Sequence, residues 1–342
     1  MRALVTGGTG FLGRNIVKRL LEGGVRVRTL SRRNDAALES LGVEALIGDI
    51  RNRKQVLRAC DGVDTVFHVA ACVGLWGAWD DFFQVNVLGT RNVIFACQAK
   101  SVSRLIYTSS PSVVFGGSPL VRADEQTPYP ERYNSYYPWT KAIAEREVIA
   151  ANGQGTLSTT SLRPHLIWGP RDTHLVPSMI ERAKAGRLSI VGDATNVVDF
   201  TYVENVAQAH VLAARSLEES SAAAGKCYFI SQDEPINLWE FVRRVLDCAG
   251  LSFPSRRISL KTAYALGAVL ETAYRFCPLR GEPRITRFLA EQLALTHYFD
   301  ISAARRDFGY SPEVNMEEGF RRLRAALGGT SGPISMRMNT AQ

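Results

Sequence analysis

A chain of 342 residues, 46% hydrophobic and 22% charged, can bury one large core and a smaller lobe, so its composition excludes disorder as the starting reading. Its 41 basic and 33 acidic residues leave a formal charge of +8, but the basic residues form only short clusters such as Arg32-Arg33, Arg256-Arg257, Arg305-Arg306 and Arg321-Arg322, too short for a nucleic-acid tract. Six single cysteines (Cys60, Cys72, Cys97, Cys227, Cys248, Cys277) without a CxxC pair, and five scattered histidines, give no metal spacing; the thiols read as reduced and mostly buried in a cytoplasmic protein.

The N-terminus runs through Met1-Arg2 directly into an apolar strand at residues 3–6, which leaves no room for a signal peptide before it. Further strands are predicted at residues 25–30, 44–47, 65–69 and 104–109, alternating with helical stretches that begin with residues 15–21. The strand runs are almost continuously apolar, as strands covered on both faces should be. A helix over residues 142–151 leads to a strand at 159–163, where the simple alternation stops. Beyond it the pattern is mixed, with helices at 176–185, 204–217 and 238–249 and short strands at 188–191 and 227–231. The reading is a first domain at residues 1–165, a substrate lobe at 166–329 and a frayed tail at 330–342. Residues 197–203 and 227–231 are candidates to pair back onto the main sheet. The apolar segment 262–274 is broken by Glu271 and too short to span a bilayer at about 20 residues, though it can lie on a membrane or roof an apolar pocket.

Thr6-Gly7-Gly8-Thr9-Gly10-Phe11-Leu12-Gly13 follows the first strand and opens a helix. Gly7, Gly10 and Gly13 permit a tight turn, close approach to a pyrophosphate and close helix packing, while free N–H groups at Phe11 and Leu12 face the negative charge. A plain glycine-rich turn is the bland alternative. With the alternating elements, this loop makes the fold class α/β: a Rossmann-type doubly wound parallel sheet with a smaller mixed C-terminal substrate lobe. Where an NAD-specific site carries an acid after the second strand, this chain has Ser31-Arg32-Arg33. Cationic forks suit a 2′-phosphate, so NADP(H) is favoured and NAD(H) remains open. Asp49-Ile50 follows the third strand, where a carboxylate can accept from an adenine amino group, and Ala70 lies among small residues beyond the fourth. His68 reads as a packed strand-end histidine.

Tyr137 and Lys141 are four residues apart before a helical run, so both fall on one helix face, whereas Tyr136 points elsewhere. Tyr137 is therefore the candidate acid/base. Its phenol needs a fall of about 3 pH units from about 10 to work as a base near neutrality, which a nearby ammonium and a charged cofactor can supply. The strand 104–108 delivers Ser109-Ser110 to the ligand-binding end of the sheet, so a Ser110 hydroxyl can orient the reacting oxygen.

These residues resemble the extended short-chain dehydrogenase/reductases, and within them the 3β-hydroxysteroid dehydrogenase group, over residues 1 to about 328. The resemblance is carried by the glycine loop, Tyr107-Thr108-Ser109-Ser110-Pro111-Ser112-Val113-Val114-Phe115, the Tyr137–Lys141 stretch and Arg163-Pro164-His165-Leu166-Ile167-Trp168-Gly169-Pro170-Arg171-Asp172. It implies catalytic positions at Ser110, Tyr137 and Lys141, and a place along the nicotinamide for Pro164 and His165. Arg163–Asp172 and Val198–Val206 resemble sterol-4α-carboxylate 3-dehydrogenases; Gly77-Ala78-Trp79 and the segments 260–264, 279–283 and 286–292 resemble bacterial 2-alkyl-3-oxoalkanoate reductases. Both groups act on an oxygen β to a carboxylate of a very apolar acid or sterol. The resemblance further implies a homodimer through helices near residues 81–100 and 137–151. Helices within 260–295 would suit a lid over acyl chains, and Arg171 and Arg284 are candidate partners for a substrate carboxylate. Two other classes share the loop: a nucleotide-sugar epimerase or dehydratase that retains its cofactor, and a non-catalytic NADP(H) sensor. The apolar late segment argues against the first, and the Ser110, Tyr137 and Lys141 set against the second. A serine hydrolase is excluded because no GxSxG occurs.

Overall fold

The computed structural model describes residues 1–277, 279 and 281–328, so the predicted tail at 330–342 lies outside the described residues. Strands β1 (Arg2–Thr6), β2 (Arg26–Ser31), β3 (Glu44–Ile47), β4 (Thr65–His68), β5 (Arg104–Thr108), β6 (Ser158–Pro164) and β7 (Lys226–Ile230) form one parallel sheet in the order β7-β6-β5-β4-β1-β2-β3. The strand order reverses between β1 and β4, which opens a crevice at their C-terminal ends.

Period-two alternation divides each strand between two cores. Ala3, Val5, Phe67 and Ile106 face helix α1 (Phe11–Glu22) and the helix Val203–Glu219, where Ile16, Val17, Val206 and Ala213 are fully buried. Leu4, Val66 and Leu105 face the opposite side, against Val56, Val93, Ala96 and Val148, the last on helix α2 (Tyr136–Ala150). Burying a strand on both sides demands the continuous apolar runs seen in the sequence.

The second half contributes to both regions. The segment 227–231 does join the main sheet, as β7, whereas Val197–Val198 does not. It pairs instead in a small mixed sheet with Ile236–Asn237 and His297–Phe299, the last paired in turn with Leu120–Ala123. A separate aromatic core of Trp168, Phe200, Phe241 and Phe320 lies beneath it. Helix α3 (Leu260–Phe276) folds back on helix α4 (Arg287–Ala294). A Cβ on Gly267 would lie 2.7 Å from the Arg287 nitrogen, so only glycine allows this approach. Buried Glu271 locks the pair, accepting from the Arg287 backbone N–H at 2.6 Å and its Nε at 2.8 Å.

The cysteines are less buried than their scatter suggested. Cys60 and Cys97 are buried, but Cys72, Cys227 and Cys248 are half-buried and Cys277 is exposed; all six are free thiols. Among the described residues, no helix is long and apolar enough to cross a membrane, and no group of three or more His, Cys, Asp or Glu side chains could hold a metal.

Candidate active site

The glycine loop closes on itself through Gly10 N–H donating to the Gly7 carbonyl at 2.9 Å, and is tied to β2 by Gly7 N–H donating to Leu30 at 2.9 Å. Gly7 has φ +69°, and a Cβ on Gly13 would fall 2.2 Å from the Gly7 oxygen. These two glycines are therefore required by conformation and by space respectively. Gly10 caps α1 in extended conformation without a side-chain cap bond, and no acidic residue occupies the first turn. The positive end of α1 is left without an internal counter-charge, which fits a pyrophosphate. Leu12 is buried beneath the loop and Phe11 half-buried beside it.

Around this cradle the other predicted contacts take their places. Ser31 is buried at the end of β2, its Oγ accepting from Thr9 N–H at 3.4 Å, while Arg32 and Arg33 are exposed just beyond. Asp49 is held differently from expectation: Arg51 chelates its carboxylate at 2.7 to 3.1 Å and keeps it below its ordinary acidity range. Ile50 is buried, so that position offers a site its backbone and an apolar wall. Ala70 N–H donates to Thr6 Oγ1 at 3.2 Å, and its backbone lies 3.0 Å from where a Gly7 Cβ would sit. His68 is fully buried between Thr6 Oγ1 at 2.8 Å and Thr90 Oγ1 at 3.0 Å; burial, with repulsion from Lys141, holds its pKa down to about 3. It is a packed strand-end histidine.

Helix α2 begins six residues earlier than the sequence suggested, at Tyr136, so Tyr137, Pro138 and Lys141 all lie on it. Proline is tolerated in a first helical turn because its missing N–H has no partner there. Tyr137 faces Ser110, close enough for the serine to favour its phenolate, and Ser110 caps the short turn Pro111–Val114 and pairs with Ser112 Oγ at 2.8 Å. Burial dominates the phenol and pushes its pKa up to about 12, against the smaller lowering effect of Ser110. The expected fall toward neutrality is thus absent in the free protein. Lys141 is buried, donates to the Thr108 carbonyl at 2.5 Å, and lies 4.1 Å above the Tyr107 ring centroid. Burial lowers its pKa to about 7.

Two groups near the cluster had escaped the sequence reading. Asn86 lies in the π-helical run Phe83–Leu88, and its amide clamps Cys72 through both backbone groups at 2.8 and 3.0 Å while reaching Thr140 Oγ1 at 3.1 Å. It joins the loop after β4 to α2. Glu145, one turn beyond Lys141, is fully buried against Arg163 on β6, with Nη2 to Oε1 at 2.7 Å, and also accepts from Ser161 and Tyr129. Neither carries a local signal: Gln84 lies two residues before Asn86, and Glu145 is followed directly by Arg146 and Glu147. Pro164 is buried where β6 ends, and His165 follows it, buried between His297 and Phe299 at ring-centroid distances of 5.0 and 5.1 Å. Arg171 and Arg284 are both exposed; Arg171 has φ +67°, and the Arg284 carbonyl accepts from Arg182.

Residues 4–262 match the model of the 3-beta hydroxysteroid dehydrogenase/isomerase family. The chain is 47% identical over 332 residues to a 2-alkyl-3-oxoalkanoate reductase of Shewanella oneidensis, covering 95% of this chain and 86% of that protein. It is 48% identical over 329 residues to the protein of that name from Stenotrophomonas maltophilia, covering 95% and 99%. A mouse sterol-4-alpha-carboxylate 3-dehydrogenase, decarboxylating, is 36% identical over 325 residues, covering 94% and 89%. Among solved structures, UDP-glucose 4-epimerase of Thermus thermophilus in complex with NAD superimposes with a TM-score of 0.74 at 26% identity, covering 96% of this chain and 100% of that one. The chain belongs to the 3-beta hydroxysteroid dehydrogenase/isomerase family.

Proposed function

We propose that this protein is a nicotinamide-dependent oxidoreductase that reduces a ketone β to a carboxylate on a large apolar substrate, a 2-alkyl-3-oxoalkanoate, with NADP(H) as its preferred cofactor. The observation that carries the reading is the meeting of Ser110, Tyr137 and Lys141 at the C-terminal end of β5, beside an uncapped glycine cradle. The substrate class is supported by two relatives of that name at 47% and 48% identity over nearly the whole chain.

The cofactor, when bound, supplies a hydride to the ketone carbon. Gly7, Gly10 and Gly13, with the N–H groups of Phe11 and Leu12, would hold its pyrophosphate. Ser31, Arg32 and Arg33 would take the ribose 2′-phosphate, and Asp49, Ile50 and Ala70 would line the adenosine side. Pro164 and His165 would flank the nicotinamide. As the carbonyl carbon gains the hydride, its π electrons move to oxygen, which takes the proton of the Tyr137 hydroxyl. Ser110 donates to the same oxygen, and Lys141 neutralises the phenolate until a proton returns from solvent. A phenol with its pKa near 12 is fully protonated at neutral pH, which suits reduction. The open faces of Gly89–Ala99 and α2 would pair two copies.

The test follows nicotinamide absorbance with purified protein offered a long-chain 2-alkyl-3-oxo acid with NADPH or NADH, and a 3β-hydroxy-4-carboxysterol with NADP⁺ or NAD⁺. Turnover of the alkyl acid with a preference for NADPH is expected. Turnover of the sterol acid alone, or oxidised cofactor retained through purification without turnover of either, would replace this reading with a sterol dehydrogenase or an epimerase.

A further inference from the structure

One turn beyond Lys141, α2 carries a second charge into the interior. Glu145 follows the lysine by four residues, so the two side chains share a helix face at about 5–6 Å between Cβ atoms. Both are sealed from water, Lys141 at 2% exposure and Glu145 at 0%. The carboxylate is held at both oxygens. Arg163 Nε donates to each at 3.1 Å and its Nη2 to Oε1 at 2.7 Å, while the Tyr129 hydroxyl donates to Oε1 at 2.7 Å and Ser161 Oγ to Oε2 at 2.8 Å. Burial pushes the Glu145 pKa up, but the Arg163 charge and these hydrogen bonds bring it below the usual carboxylate range, so the group stays ionised.

Stability alone does not account for such a pair. Apolar side chains of similar volume would join α2 to β6 about as well, because the desolvation of two buried charges offsets most of their attraction. What they could not supply is a fixed negative charge one turn from Lys141. The other groups around the lysine leave that task to Glu145. From β5, Lys141 meets the Tyr107 ring at 4.1 Å and the Thr108 carbonyl at 2.5 Å; β4 contributes His68, and Tyr137 precedes the lysine on α2. Burial keeps His68 neutral and pushes the Tyr107 and Tyr137 hydroxyls up, so all three are uncharged near pH 7. Among the described residues, Glu145 is the anion that favours the ammonium. Arg163 leans the other way, over the Phe229 ring of β7 at 5.0 Å.

We propose that Glu145, fixed by Arg163, is a positioning residue whose charge keeps Lys141 in its ammonium form beside Tyr137 during the reduction proposed above, the reading on which this inference rests.

The experiment uses the full chain carrying Glu145→Leu with Arg163→Met, which removes both charges and leaves neither unpaired. The kcat for reduction of a long-chain 2-alkyl-3-oxo acid by NADPH is followed from about pH 5 to about pH 9. Without the neighbouring anion Lys141 gives up its proton at lower pH. The fall of kcat on the alkaline side should therefore move toward acid by about one pH unit, a roughly tenfold lower kcat along that limb. An unmoved limb, or a kcat lowered equally at every pH, would make the pair a structural clamp and overturn the proposal.

A second readout needs no turnover. At about pH 5.5 Glu145 is ionised and Lys141 protonated in the folded chain, so Lys141→Met relieves a buried ammonium. It should raise the urea unfolding midpoint further in the double variant than in the wild-type chain, which has the anion to offset that burial. Equal shifts in the two backgrounds would overturn the proposal. Unequal shifts in a chain that does not turn over the acid would uphold the coupling and strike the reduction reading instead.

Discussion

Half-buried Tyr137 and buried Lys141 are shifted to opposite electrostatic effect. Burial disfavours the charged form of each, so the phenol stays protonated and the ammonium is brought close to losing its proton near pH 7. Removing the phenol oxygen leaves packing and cofactor contacts in place: Tyr137→Phe should lower kcat by roughly 10²- to 10⁴-fold with little change in NADPH affinity by fluorescence titration. Near-normal turnover would sink the assignment. The lysine carries a stability consequence. Its pKa falls from about 10.4 unfolded to about 7 folded, so between those values the unfolded chain binds more protons and stability rises with pH. The penalty is fully present below pH 7 and gone above the unfolded value. Lys141→Met should therefore raise stability at pH 7 by about 1–3 kcal/mol while abolishing turnover, with the gain shrinking toward pH 10 in denaturant titrations. A lower midpoint at pH 7 would show that the Thr108 hydrogen bond outweighs desolvation.

Elements differ in how far local sequence determines them. The strands β1 to β6 and the glycine loop were legible, because short β-rich runs, apolar in β1, β4 and β5, and glycine spacing are short-range signals. The small sheet was not: its strands lie near residues 120, 197, 236 and 297, two are only two residues long, and no local pattern announces such pairings. The same holds for side chains. Tyr137 and Lys141 share one helix turn and could be paired on paper, whereas Arg163 meets Glu145 only once β6 lies against α2. That pair joins α2 to the sheet. Arg163→Met alone would leave a buried, unpaired carboxylate and should destabilise by about 3–5 kcal/mol, whereas Arg163→Met with Glu145→Leu should recover most of the loss. A double variant as unstable as the sum of the singles would deny the coupling. Beyond β2, loss of both cationic forks in Arg32→Ala with Arg33→Ala should raise the KM for NADPH by roughly 10- to 100-fold and leave that for NADH nearly unchanged. Equal effects on both cofactors would mean that these side chains do not read the phosphate.

At the scale of the whole molecule, α2 presents two faces that lie on different sides of it. One face turns Lys141 and Glu145 into the protein; another, with Glu147 and Ala150, borders a surface groove shared with Arg91, Ile94 and Phe95 of the helix Gly89–Ala99. Phe95 is 42% exposed there, its ring covered in part by the Arg53 guanidinium at 4.7 Å, and Arg91 pairs with Glu147 across the groove at 2.6 Å. Two helices crossing a second copy of themselves make a self-complementary patch, the kind a two-fold dimer uses, and a stable one would need to bury about 1,200–2,000 Å². A charge at the centre of that patch would face its own symmetry mate, so Phe95→Glu places two carboxylates together in a desolvated contact. The expected outcome in size-exclusion chromatography with light scattering is a wild-type dimer at micromolar concentration and a monomeric variant. Because the patch lies on the side of α2 away from Lys141, the monomer should keep kcat within about twofold, and lose stability instead through the missing partner. A wild-type monomer, or a variant that stays dimeric, would move the contact elsewhere on the surface; a monomer with greatly reduced kcat would mean that the second copy holds α2 in its catalytic position.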